Sequence, residues 1–211
     1  MGTRGLLGLI IKGKRHGAYN HFDSYPSGLG QDIVAFLLSL TEEDIKNMAA
    51  RVAEITWVSE SSPPTKGQQE YYSSLDFANL RVSEGRLDEW YCLLHKMQGA
   101  AALPQVLNGK LKHLKEGIHR CTTNYATYSS PANTWVLDLA VDFLEDGLFC
   151  EWAYFIDFEE RKLETWKGES GGGSKMIGEV TFDGLKSEGK AYMEKMEKIG
   201  WGEDEEGEKE V

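Results

Sequence analysis

The densest run of side chains able to do chemistry is Asn20-His21-Phe22-Asp23-Ser24-Tyr25. It places an amide, an imidazole, a carboxylate and two hydroxyls within six residues. In a strand, His21, Asp23 and Tyr25 would share a face. A His–Asp pair on one face could carry general acid–base chemistry. A structural reading competes and outweighs it. Asn20 and Asp23 are turn formers that hydrogen-bond nearby backbone, Tyr25-Pro26 can set a bend, and Arg4 could pair with Asp23 to hold the N-terminal end in place. We therefore take Arg4, Asn20, His21, Asp23 and Tyr25 as candidate binding residues and assign no catalytic residue.

A second chemistry would use Thr3. An N-terminal nucleophile hydrolase exposes a Ser, Thr or Cys as its first residue, at the head of a central strand, with its own α-amine as base. Thr3 before an apolar strand, with Asn20 and Asp23 after the first hairpin, has that layout. Removal of Met1 would expose Gly2, which has no nucleophile, so cleavage after Gly2 would be required. Position 6 is Leu where a myristoylation signal wants Ser or Thr.

Other groupings have plainer explanations. Asp138, Asp142 and Glu145 line one side of an expected helix, and His113 and His119 lie six apart. Neither spacing is a metal-ligand set, and we expect no metal and no cofactor. Gly28-Leu29-Gly30 before a helix lacks the rest of a phosphate loop. Cys92 and His95 are one helical turn apart among Trp90, Leu93 and Leu94, which points to packing.

The elements that must position these residues follow from periodicity. Residues 3–11 read as a strand apolar on both faces, hence central. Lys12-Gly13-Lys14 turns the chain into a second strand over 15–20. Helices are expected over 31–40 and 42–55, the second capped by Thr41 with Asp44 in the capping-box position. Residues 59–69 read as loop, 83–99 as helix, and Pro104 opens a basic helix reaching Gly117. Ser130, Pro131 and Gly147 bracket a further helix. A strand over 148–158 pairs back through 162–166, glycines 171–173 form a link, and a helix over 183–199 closes the fold. The expected fold class is α+β. A small antiparallel sheet, made from the N-terminal hairpin and a late hairpin over 148–166, is packed with helices. It forms a single domain over 1–200 with a helical insertion about 60–130, followed by a disordered acidic tail over 201–211.

Met1-Gly-Thr-Arg-Gly5 followed by a hairpin and Tyr19-Asn-His-Phe-Asp-Ser-Tyr-Pro-Ser-Gly-Leu-Gly30 resembles a family of uncharacterised fungal proteins. It is more distantly similar to small phage proteins that also begin Met-Gly-Thr-Arg and carry Trp-Asp-Gly-Tyr where this chain has Phe22-Asp-Ser-Tyr25. Glu151-Trp-Ala-Tyr-Phe-Ile-Asp157 resembles the late strand of these families. The resemblance covers about forty residues in two blocks and implies architecture, not a reaction.

Composition narrows the function classes. The net charge is −11, which repels a nucleic-acid backbone, so no nucleic acid is expected as partner. Residues 203–211 hold six acids and one lysine, or −5 of that total, a run that repels itself. Cys92, Cys121 and Cys150 give an odd count, as expected of free thiols in a reducing compartment. The apolar run 6–11 is too short for a signal core or a membrane span. The expectation is a soluble, cytoplasmic, non-catalytic binding or interaction module with an unknown protein partner. The alternative is a hydrolase using Thr3 or a His21–Asp23 site.

Overall fold

A computed structural model describes residues 3–59, 61–116, 144 and 150–202. Its centre is a five-stranded sheet whose strands lie in the order Lys14–Asn20, Gly5–Ile11, Trp152–Asp157, Lys162–Gly168 and Ser174–Thr181. The first hairpin joins β1 (Gly5–Ile11) to β2 (Lys14–Asn20). Lys12 and Gly13 both take positive φ, at 50° and 76°, as a two-residue hairpin turn requires. β1 is buried along both faces because it lies inside the sheet. Its other neighbour is β5 (Trp152–Asp157), to which it runs parallel. β6 (Lys162–Gly168) and β7 (Ser174–Thr181) complete the sheet with antiparallel pairings.

The sheet differs from the expected one in two respects. The junction between the early and late hairpins is parallel. In addition, glycines 171–173 are no linker. Glu169 N–H donates to the Gly173 carbonyl at 2.9 Å and closes a hairpin into β7, so the sheet gains an edge strand. The closing helix is two helices, α6 (Phe182–Glu188) and α7 (Ala191–Gly200), parted at Gly189 with φ 56°.

Helices α1 (Gln31–Ser39) and α2 (Glu42–Ala53) form close to where their periodicity places them. Thr41 and Asp44 exchange both bonds of a capping box; Asp is long enough here because its Oδ2 accepts from the Thr41 N–H at 3.0 Å. The middle of the chain departs further. Inside the loop expected over 59–69 begins α3 (Lys66–Ser74), started by a second capping box between Thr65 and Gln68. The expected helix over 83–99 is broken. Ser83, Glu84 and Gly85 all have positive φ, and only α4 (Trp90–Leu93) is α-helical. The expected basic helix is α5 (Ala102–Leu107), stopped by Gly109 at φ 68°. Lys112 therefore lies beyond it, and Lys115 sits on β4 (His113–Lys115), which pairs parallel with β3 (Thr56–Val58). The acidic tail over 203–211, and the helix bracketed by Ser130 and Gly147 apart from Leu144, lie outside the described residues. His119 and Cys121 do as well.

One face of the sheet, with Leu7, Leu9, Trp152, Tyr154 and Ile156, shares a single apolar cluster with α1, α2 and residues Tyr72, Trp90, Leu103 and Leu114. Each large side chain buried there contributes roughly 1.5–3 kcal/mol. On the opposite face Leu6, Ile10, Ala153 and Phe155 share a second apolar cluster with Leu144. Gly8 has no side chain because the Phe155 ring occupies that space. On this face Arg15 of β2 reaches past β1 and β5 to grip Glu164 of β6 through two bonds of 2.8 Å. Burial pushes the Glu164 carboxyl up, but the guanidinium and the Trp166 indole N–H hold it below its ordinary value.

Candidate functional site

The loop after β2 spends its polar groups on itself. The Asn20 amide donates to the Phe22 carbonyl and, at 2.8 Å, to the Ser24 hydroxyl. Ser24 N–H donates to the Thr3 carbonyl at 3.2 Å, and the Ser24 carbonyl accepts from the Tyr154 hydroxyl at 3.0 Å. Leu29 N–H donates to the Asp23 carbonyl at 2.8 Å, and the Tyr25 carbonyl takes the N–H groups of Gly28 and Gly30. A side chain at Gly28 would collide with the Asp23 carbonyl. The loop thus ties the start of β1, the end of β2 and the entry to α1 onto β5. Burial raises the Tyr154 hydroxyl far above its ordinary range, so it remains a donor.

The candidate residues therefore separate. Asn20 is buried and structural. His21 and Asp23 do not share a strand face, because β2 ends at Asn20 and Asp23 turns at φ 52°. His21 instead lies against Tyr19, with Nδ1 2.8 Å from the hydroxyl. Asp23 is exposed, and its carboxylate forms no ion pair with Arg4, which corrects that expected pairing. Arg4 does engage other groups, and its charge reaches Tyr19 and His21. Tyr25 packs against Trp201, with centroids 6.4 Å apart. Thr3 is 1 % exposed and its hydroxyl finds no partner among the described residues, a sealed position for a nucleophile.

An open site lies elsewhere. Pro63, Ser83, Asp88, Glu89, Trp90, Tyr91 and Lys115 line a cleft of about 380 Å³. Trp90, Tyr91 and Lys115 also wall a smaller pocket of about 30 Å³, whose further lining includes Tyr19, Met97 and Gln98. The floor is rigid. The Trp90 indole N–H donates to the Ser62 carbonyl at 2.6 Å, and its ring stacks on His113 at 5.2 Å. His113 is held at both nitrogens, by the Tyr72 hydroxyl at 2.6 Å and the Gln68 amide at 3.0 Å. The Gln68 Oε1 is already engaged by the Thr65 N–H in the α3 capping box, so its amide must present N–H to Nε2. His113 is thereby kept neutral; burial, then the nearby Lys112, lowers its pKa. Tyr91 is half-buried, with its ring edge on His95 at 5.1 Å and the Lys115 ammonium 5.6 Å from its centroid. Glu89 pairs with Arg86 at the rim, leaving Asp88 exposed.

The lining can receive a ligand with an apolar or aromatic body and a charged group. Among the described residues no three His, Cys, Asp or Glu gather as metal ligands do, and no helix is long and apolar enough to cross a membrane. Cys92 is buried, its thiol turned to the Asn79 carbonyl and pushed up by burial. Searches of family models, curated proteins and solved structures find no match to this chain.

Proposed function

We propose that the chain is a soluble, cytoplasmic, non-catalytic binding module, related to the fungal family that its opening block resembles, and that it receives a segment of a protein partner in the cleft floored by Trp90. The open cleft carries this reading. Its lining combines the Trp90 and Tyr91 rings with the carboxylates of Asp88 and Glu89 and the ammonium of Lys115, which is the anatomy of a recognition pocket. A basic side chain of the partner would lie along Tyr91 toward Asp88 and Glu89. The hydrolase alternative has less support, since Thr3 is enclosed and His21 has Tyr19, not Asp23, as its neighbour.

The test is a screen of short peptides with a basic residue beside an aromatic one, followed by NMR. Binding should move the amides of residues 83–91 and 113–115, and Tyr91→Ala should weaken it about tenfold. Shifts scattered over the surface, or affinity indifferent to Tyr91, would sink the reading.

A further inference from the structure

Asparagine followed by glycine is a chemically labile pair, because glycine has no side chain to hinder attack on the asparagine amide. Asn108-Gly109 is the one such pair in the chain. Asn108 caps the C-terminal end of α5 and is exposed, and its side-chain amide makes no hydrogen bond among the described residues. Gly109 takes φ 68°. The Arg51 guanidinium, from the last turn of α2, lies directly against Gly109, so that a side chain there would collide with it. Arg51 has no carboxylate partner among the described residues.

We propose that Asn108-Gly109 deamidates spontaneously in the folded chain, and that Arg51 promotes the step and receives its product. The Gly109 nitrogen attacks the side-chain carbonyl carbon of Asn108. A new C–N bond closes a cyclic imide, the bond to the side-chain nitrogen breaks, and ammonia leaves with the proton that Gly109 gives up. Water then opens the imide on one side or the other, to aspartate or to isoaspartate. The chemistry needs only water and is indifferent to what the cleft binds. Gly109 N–H donates to the Val106 carbonyl at 2.9 Å, so ring closure waits on fraying of the last helical turn. A guanidinium beside the reacting amide favours the negative charge that builds on oxygen during the attack. It then faces the new carboxylate and offsets the cost of an acid at a helix C-terminus.

Isoaspartate inserts a methylene into the backbone between α5 and β4. The segment has no slack to absorb it. The Lys110 and Leu111 N–H groups both donate to the Gln105 carbonyl, at 2.9 and 3.0 Å, and Leu111 is buried. These two bonds are the ones the longer backbone disturbs.

Ageing the full folded chain in mildly alkaline buffer tests this, with peptide mapping by mass spectrometry and enzymatic counting of isoaspartate. Asn108 should convert before any other asparagine and yield both acids. Arg51→Gln should slow the conversion about two- to fivefold, the range of one exposed charge pair. Arg51→Lys, which keeps the charge, should restore most of the rate. Amide exchange at Gly109, measured alongside, separates a lost charge from a looser helix end. In the isoaspartyl fraction the Lys110 and Leu111 amides should exchange faster than in Asn108→Asp, which has the same charge and a normal backbone. Asn108 left intact, or converting after another asparagine, overturns the site. A rate indifferent to Arg51 while Gly109 exchange is unchanged overturns the role given to the guanidinium. Equal exchange of Lys110 and Leu111 in the isoaspartyl fraction and in Asn108→Asp overturns the backbone consequence.

Discussion

The loop over 20–25 and the cleft around Trp90 are opposites in how they use polar side chains. The loop packs an amide, an imidazole, a carboxylate and two hydroxyls into one short run, yet its best-placed groups bind one another or nearby backbone. The cleft draws Pro63, Ser83, Asp88, Tyr91 and Lys115 from separate segments and leaves space between them. Density of functional groups along the chain is thus a poor guide to a site. What matters is whether the groups are already satisfied, as most buried polar groups are.

Substitutions can break this contrast from either side. The largest effect should come from Asn20→Ala. It removes two donated bonds and orphans the enclosed Ser24 hydroxyl and the Phe22 carbonyl, at a cost of roughly 2–3 kcal/mol in urea unfolding. A variant as stable as the parent would mean the loop is not a clasp. Tyr154→Phe should cost about 1 kcal/mol by the same assay, since only the bond to the Ser24 carbonyl is lost.

A pH effect comes next and belongs to the cleft. The pKa of His113 is lowered in the folded state by burial and then by Lys112, so below about 6.5, the ordinary histidine value, the unfolded chain binds the extra proton more readily. Stability should be complete above that value and decline as pH falls through it. His21 and His95 are lowered too and bend the curve the same way. Comparison with His113→Asn isolates the floor of the cleft, and its curve should be flatter between pH 7.5 and 5.5. An identical slope would show that Gln68 and Tyr72 do not hold His113 neutral. The smallest change in stability is expected for Tyr91→Ala and Asp23→Asn, which should leave the urea midpoint almost in place. They should differ in binding, with Tyr91→Ala weakening a cleft ligand and Asp23→Asn leaving it unchanged. Equal behaviour would erase the distinction between the two regions.

Local signals were legible. The first hairpin, α1, and α2 with its Thr41–Asp44 box could be placed because each depends on a few neighbouring residues. Residues 65–68 carried the same type of signal, Thr65 with Gln68, but prolines 63 and 64 and Gly67 made the stretch look like loop. Glycines 171–173 read as a link for the same reason, which hid β7. Residues 83–99 have helical spacing, and three successive positive φ values broke it. Of the candidate residues in the loop, His21 was singled out with Asp23 as its partner, and its neighbour is Tyr19 instead. The cleft itself could not be read, because parallel β3–β4 pairing brings Lys115 beside Trp90 and Tyr91, and nothing local announces that pairing.

The parallel contact between β1 and β5 has a consequence for how the protein is made. Gly5 pairs with Trp152, so β1 leaves the ribosome and waits for a strand about 150 residues later in the chain. At about 5–20 residues per second that wait is roughly seven to thirty seconds. Throughout it, residues 6–11, apolar on both faces and paired on one side at most, present a sticky edge to the cell. A nascent chain of this kind is a natural client for a chaperone, and its yield on expression should depend more on that interval than on the stability of the finished fold.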